Sequence, residues 1–520
     1  MADGLIKSPR ELIVVTANST GGGRPGPPDS PATTAAVAAL AEVVRQKGGK
    51  LVPHFGVSTR RLFARSLASP SVNPDIPHSL SRYYRVDAPD EQLQDIALTV
   101  RKHPGVETAF LKPSPEPATV LNAMVPLPTE PPAQSPDFTP RQTYLVTAPG
   151  GVDAQYAWTV TGGSGDGVSI IDIEGEWRFT HEDLVENQRG VVGGTPPGDP
   201  GWRNHGTAVL GIFKGDRNSF GVTGICPNAN VRGISIFNDG AAAAIRAAAD
   251  LLNPGDIILI ELHYPGPRFG FQSPDGQRGY IPAEWWPDNL ESIQYATNKG
   301  VIVVEAAGNG YENLDDPLYD ASPAPPQGPF PGSWSNPFRR GPIDSGAILV
   351  GAGAPPTGTH GQDWGPDRSR LDFSNYGSMV DVQGWGREVT TCGYGDLQGG
   401  ANEDLWYTDQ FSGTSSASPV IVGVLGCLQG VLRAASQPLL TPASARELLR
   451  GGGSPQQDAF GRPISQRIGN RPDLQAYIQQ LIMPAAQCTA AGPPAKAVET
   501  ININFGSTGV ARIVNINFKV

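Results

Sequence analysis

Four short stretches carry residue types that could act together on one bond. Phe411-Ser-Gly-Thr-Ser-Ser-Ala-Ser-Pro419 offers hydroxyls, Asn204-His-Gly-Thr-Ala-Val-Leu-Gly211 an imidazole, Val168-Ser-Ile-Ile-Asp172 a carboxylate closing an apolar run, and Val304-Glu-Ala-Ala-Gly-Asn309-Gly310 a carboxamide. A serine hydroxyl is a weak nucleophile at neutral pH and needs a base within hydrogen-bond reach, and an oxygen that gains charge needs donors aimed at it. Each stretch also has a plainer reading. Asp172 could cap a turn, and His205 could be a partly buried core histidine. Gly-Asn-Gly is an ordinary tight turn, and a Ser/Thr run before an apolar segment is an adequate helix start.

The combination decides between these readings. Simple frequency products give GTSxAxP in about one chain in a few hundred and HGTxVxG in about one in a few thousand, and here both occur in the order Asp, His, Ser. On these motifs the chain resembles the subtilisin-like serine proteases, the subtilases, over roughly residues 144 to 483. The resemblance implies a triad of Asp172, His205 and Ser415, with Asn309 and the Ser415 backbone N–H as oxyanion donors. It also implies a serine endopeptidase that hydrolyses peptide bonds through an acyl-enzyme on Ser415. A catalytically silent binding scaffold and a subtilase-like esterase or ligase are the rival readings.

The chain departs from the family pattern in places. Asp172-Ile173-Glu174-Gly175 lacks the hydroxyl residue and glycine that usually follow the triad acid, and it adds a second acid. Asp172 is the expected triad acid; Glu174 would supplant it under another register, because side chains two apart share a face only while the strand persists. His181-Glu-Asp-Leu184 resembles the family's His-Pro-Asp-Leu and supports the Asp172 register, with His181 structural. The resemblance puts Glu261, Leu262, His263 and Gly308 at the substrate, where an extended peptide would add a strand. Glu312, Asp315, Asp316 and Asp320, in an insertion from Tyr311 to Pro342, could form a pocket for a basic side chain, a calcium site or solvated loop acids. No cofactor is required, no metal cluster is visible, and calcium is left open.

The elements that must position these residues follow from periodicity. Short apolar strands alternating with helices after Tyr144 predict a doubly wound, mostly parallel α/β sheet, whose strand ends collect active sites. Residues 1–113 predict a small ferredoxin-like α+β unit in the order strand, helix, strand, strand, helix, strand. That unit resembles the subtilase prodomain, which implies that it binds its own catalytic domain and is cut from it between about Pro113 and Tyr144. Residues 114–143 have a proline-rich linker composition, 144–483 form the catalytic domain, and 484–520 predict a tail with a β-hairpin.

Charged residues are 17% of the 520 and the net charge is −11, which argues against nucleic acid or anionic lipid and leaves a peptide or protein as the expected partner. The four cysteines have no CxxC spacing. The N-terminus lacks a secretory signal pattern, and no run of roughly 18 apolar residues suggests a membrane span, so a cytoplasmic location is the expectation.

Overall fold

A computed structural model describes residues 5–17, 31–56, 79–119 and 126–482, without the side chains of 31–33. The predicted terminal hairpin and Cys488 lie outside the described residues.

Four strands, β1 (Glu11–Thr16), β2 (Lys50–Pro53), β3 (Tyr83–Asp87) and β4 (Val106–Lys112), form an antiparallel sheet in the order β2-β3-β1-β4. Helices α1 (Pro31–Gln46) and α2 (Leu93–Val100) complete the β-α-β-β-α-β sequence. The stripe Leu93, Ile96, Ala97 and Val100 is buried against Leu12, Val14 and Leu111, as a 3.6-residue period requires. The third element, indistinct in sequence, is the four-residue strand β2.

A two-residue strand, β5 (Glu116–Pro117), follows. The main sheet then uses β6 (Ser169–Glu174), β7 (Gln188–Gly193), β8 (Asn230–Ser235), β9 (Ile257–Ile260) and, beyond β10 (Leu262–Pro265) and β11 (Tyr280–Pro282), also β12 (Ile302–Ala306), β13 (Ile348–Gly353) and β14 (Val382–Trp385). Its seven strands are parallel, in the order β14-β13-β12-β9-β6-β8-β7. The hairpin β15 (Val389–Cys392) and β16 (Tyr407–Phe411) lies outside it. Its helices are α3 (Ala154–Ala157), α4 (Pro200–Lys214), α5 (Ala241–Leu251), α6 (Pro287–Asn298), α7 (Thr414–Ala434), α8 (Pro442–Gly451) and α9 (Leu474–Ile482). Central strands such as Ile257–Ile260 are buried on both faces, which is why they read as unbroken apolar runs. Among the described residues α7 alone is long and apolar enough to cross a membrane, and it is wholly buried inside the fold, in contact with β12, β13 and β14.

The stretch read from composition as a linker is packed in parts, while residues 126–130 are exposed. Glu116–Pro117 pairs with β10, and Phe138 is buried against the Tyr407 ring. The four-stranded unit meets the main fold through a buried ionic cluster. Lys112 Nζ contacts Asp288 and lies 2.9 Å from Glu11, while His54 Nε2 is 2.8 Å from Asp288. Burial would favour the neutral Lys112 amine, but Asp288 and Glu11 hold it charged; against the same penalty, Lys112 keeps Asp288 ionised. Removing one partner of such a cluster leaves uncompensated buried charge. Lys112→Met should therefore cost about 3–5 kcal/mol, read as a lower urea midpoint; an unchanged midpoint would show that the carboxylates find other compensation.

Candidate active site

Strand β6 continues two residues past Asp172 and ends at Glu174. Alternation therefore sends both carboxyls to one face. Glu174 Oε2 lies 2.6 Å from His205 Nδ1. Asp172 instead accepts from the Trp177 indole, with Nε1–Oδ2 at 2.7 Å, and its carboxyl interacts with that of Glu174. The carboxyl in contact with His205 is thus that of Glu174, where Asp172 was expected, because the strand outlasts its predicted end.

His205 sits in the second turn of α4, whose start is capped by the Asp199 carboxylate accepting from Trp202 N–H. Its ring packs edge-on to Phe411 at 5.6 Å. His205, Asp172, Glu174 and Glu261 are all fully buried. Burial lowers the His205 pKa to about 3, keeping the imidazole neutral. Desolvation, joined by the Glu174 charge, pushes Asp172 well up. Desolvation also raises Glu174, while its bond to Asp172 acts the other way. Burial disfavours ionising both carboxyls at once. A protonated Asp172 would leave the Glu174 charge to face His205 Nδ1.

Ser415 is the second residue of α7, after Gly413 at φ 118°. A β-carbon there would meet the Ala118 carbonyl at 2.3 Å, so only glycine allows the approach. The Ser415 N–H donates to that carbonyl at 3.1 Å. Asn309 Oδ1 accepts from Thr414 N–H at 2.9 Å, and Asn309 Nδ2 donates to Gln277 Oε1 at 3.1 Å. Gln277 in turn donates to the Pro117 carbonyl at 2.8 Å. Among the described residues neither Ser415 Oγ nor His205 Nε2, the two atoms that would exchange a proton, has a hydrogen-bond partner, each other included. Pro419 is the sixth residue of α7, so its missing N–H falls opposite the Ser415 carbonyl.

The expected substrate strand is occupied by the chain itself. Leu262 pairs with Pro117 and His263 with Glu116 in antiparallel register, and Thr119 bridges Gly413. His263 Nδ1 accepts from Asn309 N–H at 3.3 Å, and Gly308 N–H donates to Thr414 Oγ1 at 3.1 Å. Glu261 points beneath the strand, with Oε1 2.5 Å from Ser418 Oγ. A cavity of about 360 Å³ opens beside this segment, lined by His205, Asn309, Tyr311 and Phe373 among others.

The insertion acids have partners already. Glu312 pairs with Arg268 at 2.6 Å and accepts from Tyr319; Asp316 pairs with Arg268 at 2.7 Å. Asp320 pairs with Arg339 at 2.7 Å, and Asp315 accepts from Ser378. With arginines in place, these carboxylates fit neither a pocket for a basic side chain nor a calcium cage, and no group of three ligating side chains exists among the described residues. His181 is buried, bonds the Trp406 carbonyl through Nε2 and is pushed down to about 4 by burial. Trp177, Gln277 and Ala118 escaped the sequence reading: none lies in a motif, and only the fold brings them to the site.

The subtilase family matches residues 180–451. Thermitase of Thermoactinomyces vulgaris is 26% identical over 61% of this chain and 95% of its own length. A thermophilic serine proteinase of Bacillus sp. strain AK1 is 25% identical, over 56% of this chain and 60% of its own. The calcium-dependent protease of a Nostoc species is 28% identical over 52% of this chain and 40% of its own. Among solved structures, fervidolysin from Fervidobacterium pennivorans superposes with TM-score 0.50 at 18% identity, covering 91% of this chain and 61% of that one. The epidermin leader peptide processing protease of Staphylococcus aureus does so with TM-score 0.51 at 16% identity, covering 91% and 98%. These two likenesses concern the fold.

The two acids are separable by substitution. Asp172→Asn keeps a neutral group between Trp177 and Glu174 and should lower the rate of Ser415 labelling by a fluorophosphonate less than about tenfold. Glu174→Gln removes the charge facing Nδ1 and frees the wrong tautomer, with an expected loss of about 10⁴. The reverse ranking would return the orienting role to Asp172.

Proposed function

Because this chain belongs to the subtilase family and is a serine-type endopeptidase, we propose that it cleaves peptide bonds through an acyl-enzyme on Ser415, with His205 as base and Glu174 as the acid that orients it. The observation that supports this most is the 2.6 Å contact of Glu174 with His205 Nδ1, which leaves Nε2 unbonded and available to take the nucleophile's proton. Ser415 Oγ attacks the scissile carbonyl and its proton passes to Nε2. Glu174 accepts from Nδ1–H and stabilises the imidazolium, and the same proton then goes to the leaving amine. The developing oxyanion meets the Ser415 N–H and the Asn309 amide, which releases Gln277 to do so. Water, deprotonated by His205, then hydrolyses the ester.

The first substrate in this reading is the chain's own Ala118–Thr119 bond. The Ala118 carbonyl accepts from the Ser415 N–H, and the two residues before it lie in register with β10. Glu116-Pro117-Ala118 would then stand as the acyl side of the cleaved peptide, and the N-terminal unit would occlude the cleft until it leaves.

Purified protein should accordingly yield a fragment whose first residue is Thr119, by N-terminal sequencing, and Ser415→Ala should abolish both that fragment and fluorophosphonate labelling. A chain that stays intact, a different first residue, or labelling that survives Ser415→Ala would overturn the corresponding part of the proposal.

A further inference from the structure

Glu261 is a third carboxyl at the floor of the site. It is fully buried, and no cation contacts it. The ionisable groups around it are Asp172 and Glu174 on β6, the neutral His205 on α4 and His263 two residues on; α7 presents only the hydroxyls of Ser415 and Ser418. Ser418 Oγ has two close partners, Glu261 Oε1 at 2.5 Å and the Thr414 carbonyl at 2.8 Å. The hydroxyl has one proton and the carbonyl can only accept. If the Ser418 proton goes to Thr414, the short contact to Glu261 needs a proton on the carboxyl.

We propose that Glu261 is a positioning residue held as a neutral carboxylic acid, which donates to Ser418 and so keeps negative charge away from Ser415. Burial and the neighbouring Asp172 disfavour the ionised form and outweigh the two serine hydroxyls, which favour it, in agreement with this proton count. The consequence follows from where the carboxyl lies. It is close enough to influence Ser415 as well as Ser418, and Glu261 Oε2 has no hydrogen-bond partner among the described residues. An ionised Glu261 would compete with His205 for the Ser415 proton and would repel the oxyanion formed above it. The neutral acid does neither, and it locks the first turn of α7 through Ser418. Because the neutral form is the competent one, the rate should fall as pH rises through the ionisation of Glu261.

This inference rests on Ser415 as the nucleophile, and its test separates the two. The full chain is labelled with a fluorophosphonate at pH 5 to 9 as parent, Glu261→Gln and Glu261→Ala, with Ser415→Ala as control. Glutamine reproduces the neutral acid, with an N–H for Ser418 and no charge. It should recover most of at least a tenfold loss in Glu261→Ala, and its rate relative to the parent should rise with pH. A Glu261→Gln protein as slow as Glu261→Ala would mean that the carboxylate itself is needed, and a ratio flat from pH 5 to 9 would remove the pH role. An undiminished Glu261→Ala would leave Glu261 no role at all. Labelling that persists in Ser415→Ala would instead sink the nucleophile assignment, whatever the Glu261 variants do.

Discussion

The arrangement of the site depends on one constraint: a water-free interior tolerates little uncompensated negative charge. Asp172, Glu174 and Glu261 are all fully buried around His205, and among the described residues no arginine or lysine is paired with them. Only part of the carboxyl set can therefore be ionised at once. The charge belongs where it has a donor, and Glu174, at 2.6 Å from His205 Nδ1, is that place. Asp172, tied to the Trp177 indole, and Glu261, tied to Ser418, then serve the site as neutral groups. Both the tautomer of His205 and the freedom of the Ser415 proton follow from that division.

The opposite wall of the site follows from backbone geometry. Gly413, at a φ that other residues adopt with strain, lets the Ala118 carbonyl come up to the start of α7. Pairing of Glu116–Pro117 with β10 then fixes the register of the occupying segment. Helix α7, buried from Thr414 to Leu432, holds Ser415 against both walls, so small displacements of the nucleophile meet a close-packed core.

Much of this was legible in the sequence. The alternation of apolar strands and helices predicted the parallel sheet, and the helical stripe through Leu93 and Val100 predicted its buried face. The motifs around His205, Asn309 and Ser415 pointed to three residues that the fold does bring together. The acid was harder, because Asp172 and Glu174 are distinguished only by where β6 ends, and strand ends are set by tertiary pairing, here with β8 and β9, more than by local residue type. The proline-rich stretch hid one contact for a related reason: its composition suits a linker, yet Glu116 and Pro117 gain a partner strand that no local pattern encodes. The insertion acids looked like a pocket because their arginine partners, Arg268 and Arg339, lie as far as 48 residues away in sequence.

The central claim is that Glu174 carries the charge facing His205, and proton NMR tests it most directly. A carboxylate-bound His205 Nδ1–H should give a far-downfield resonance that is present in the parent chain, retained in Asp172→Asn and lost in Glu174→Gln. Loss of that resonance in Asp172→Asn, with retention in Glu174→Gln, would contradict the account.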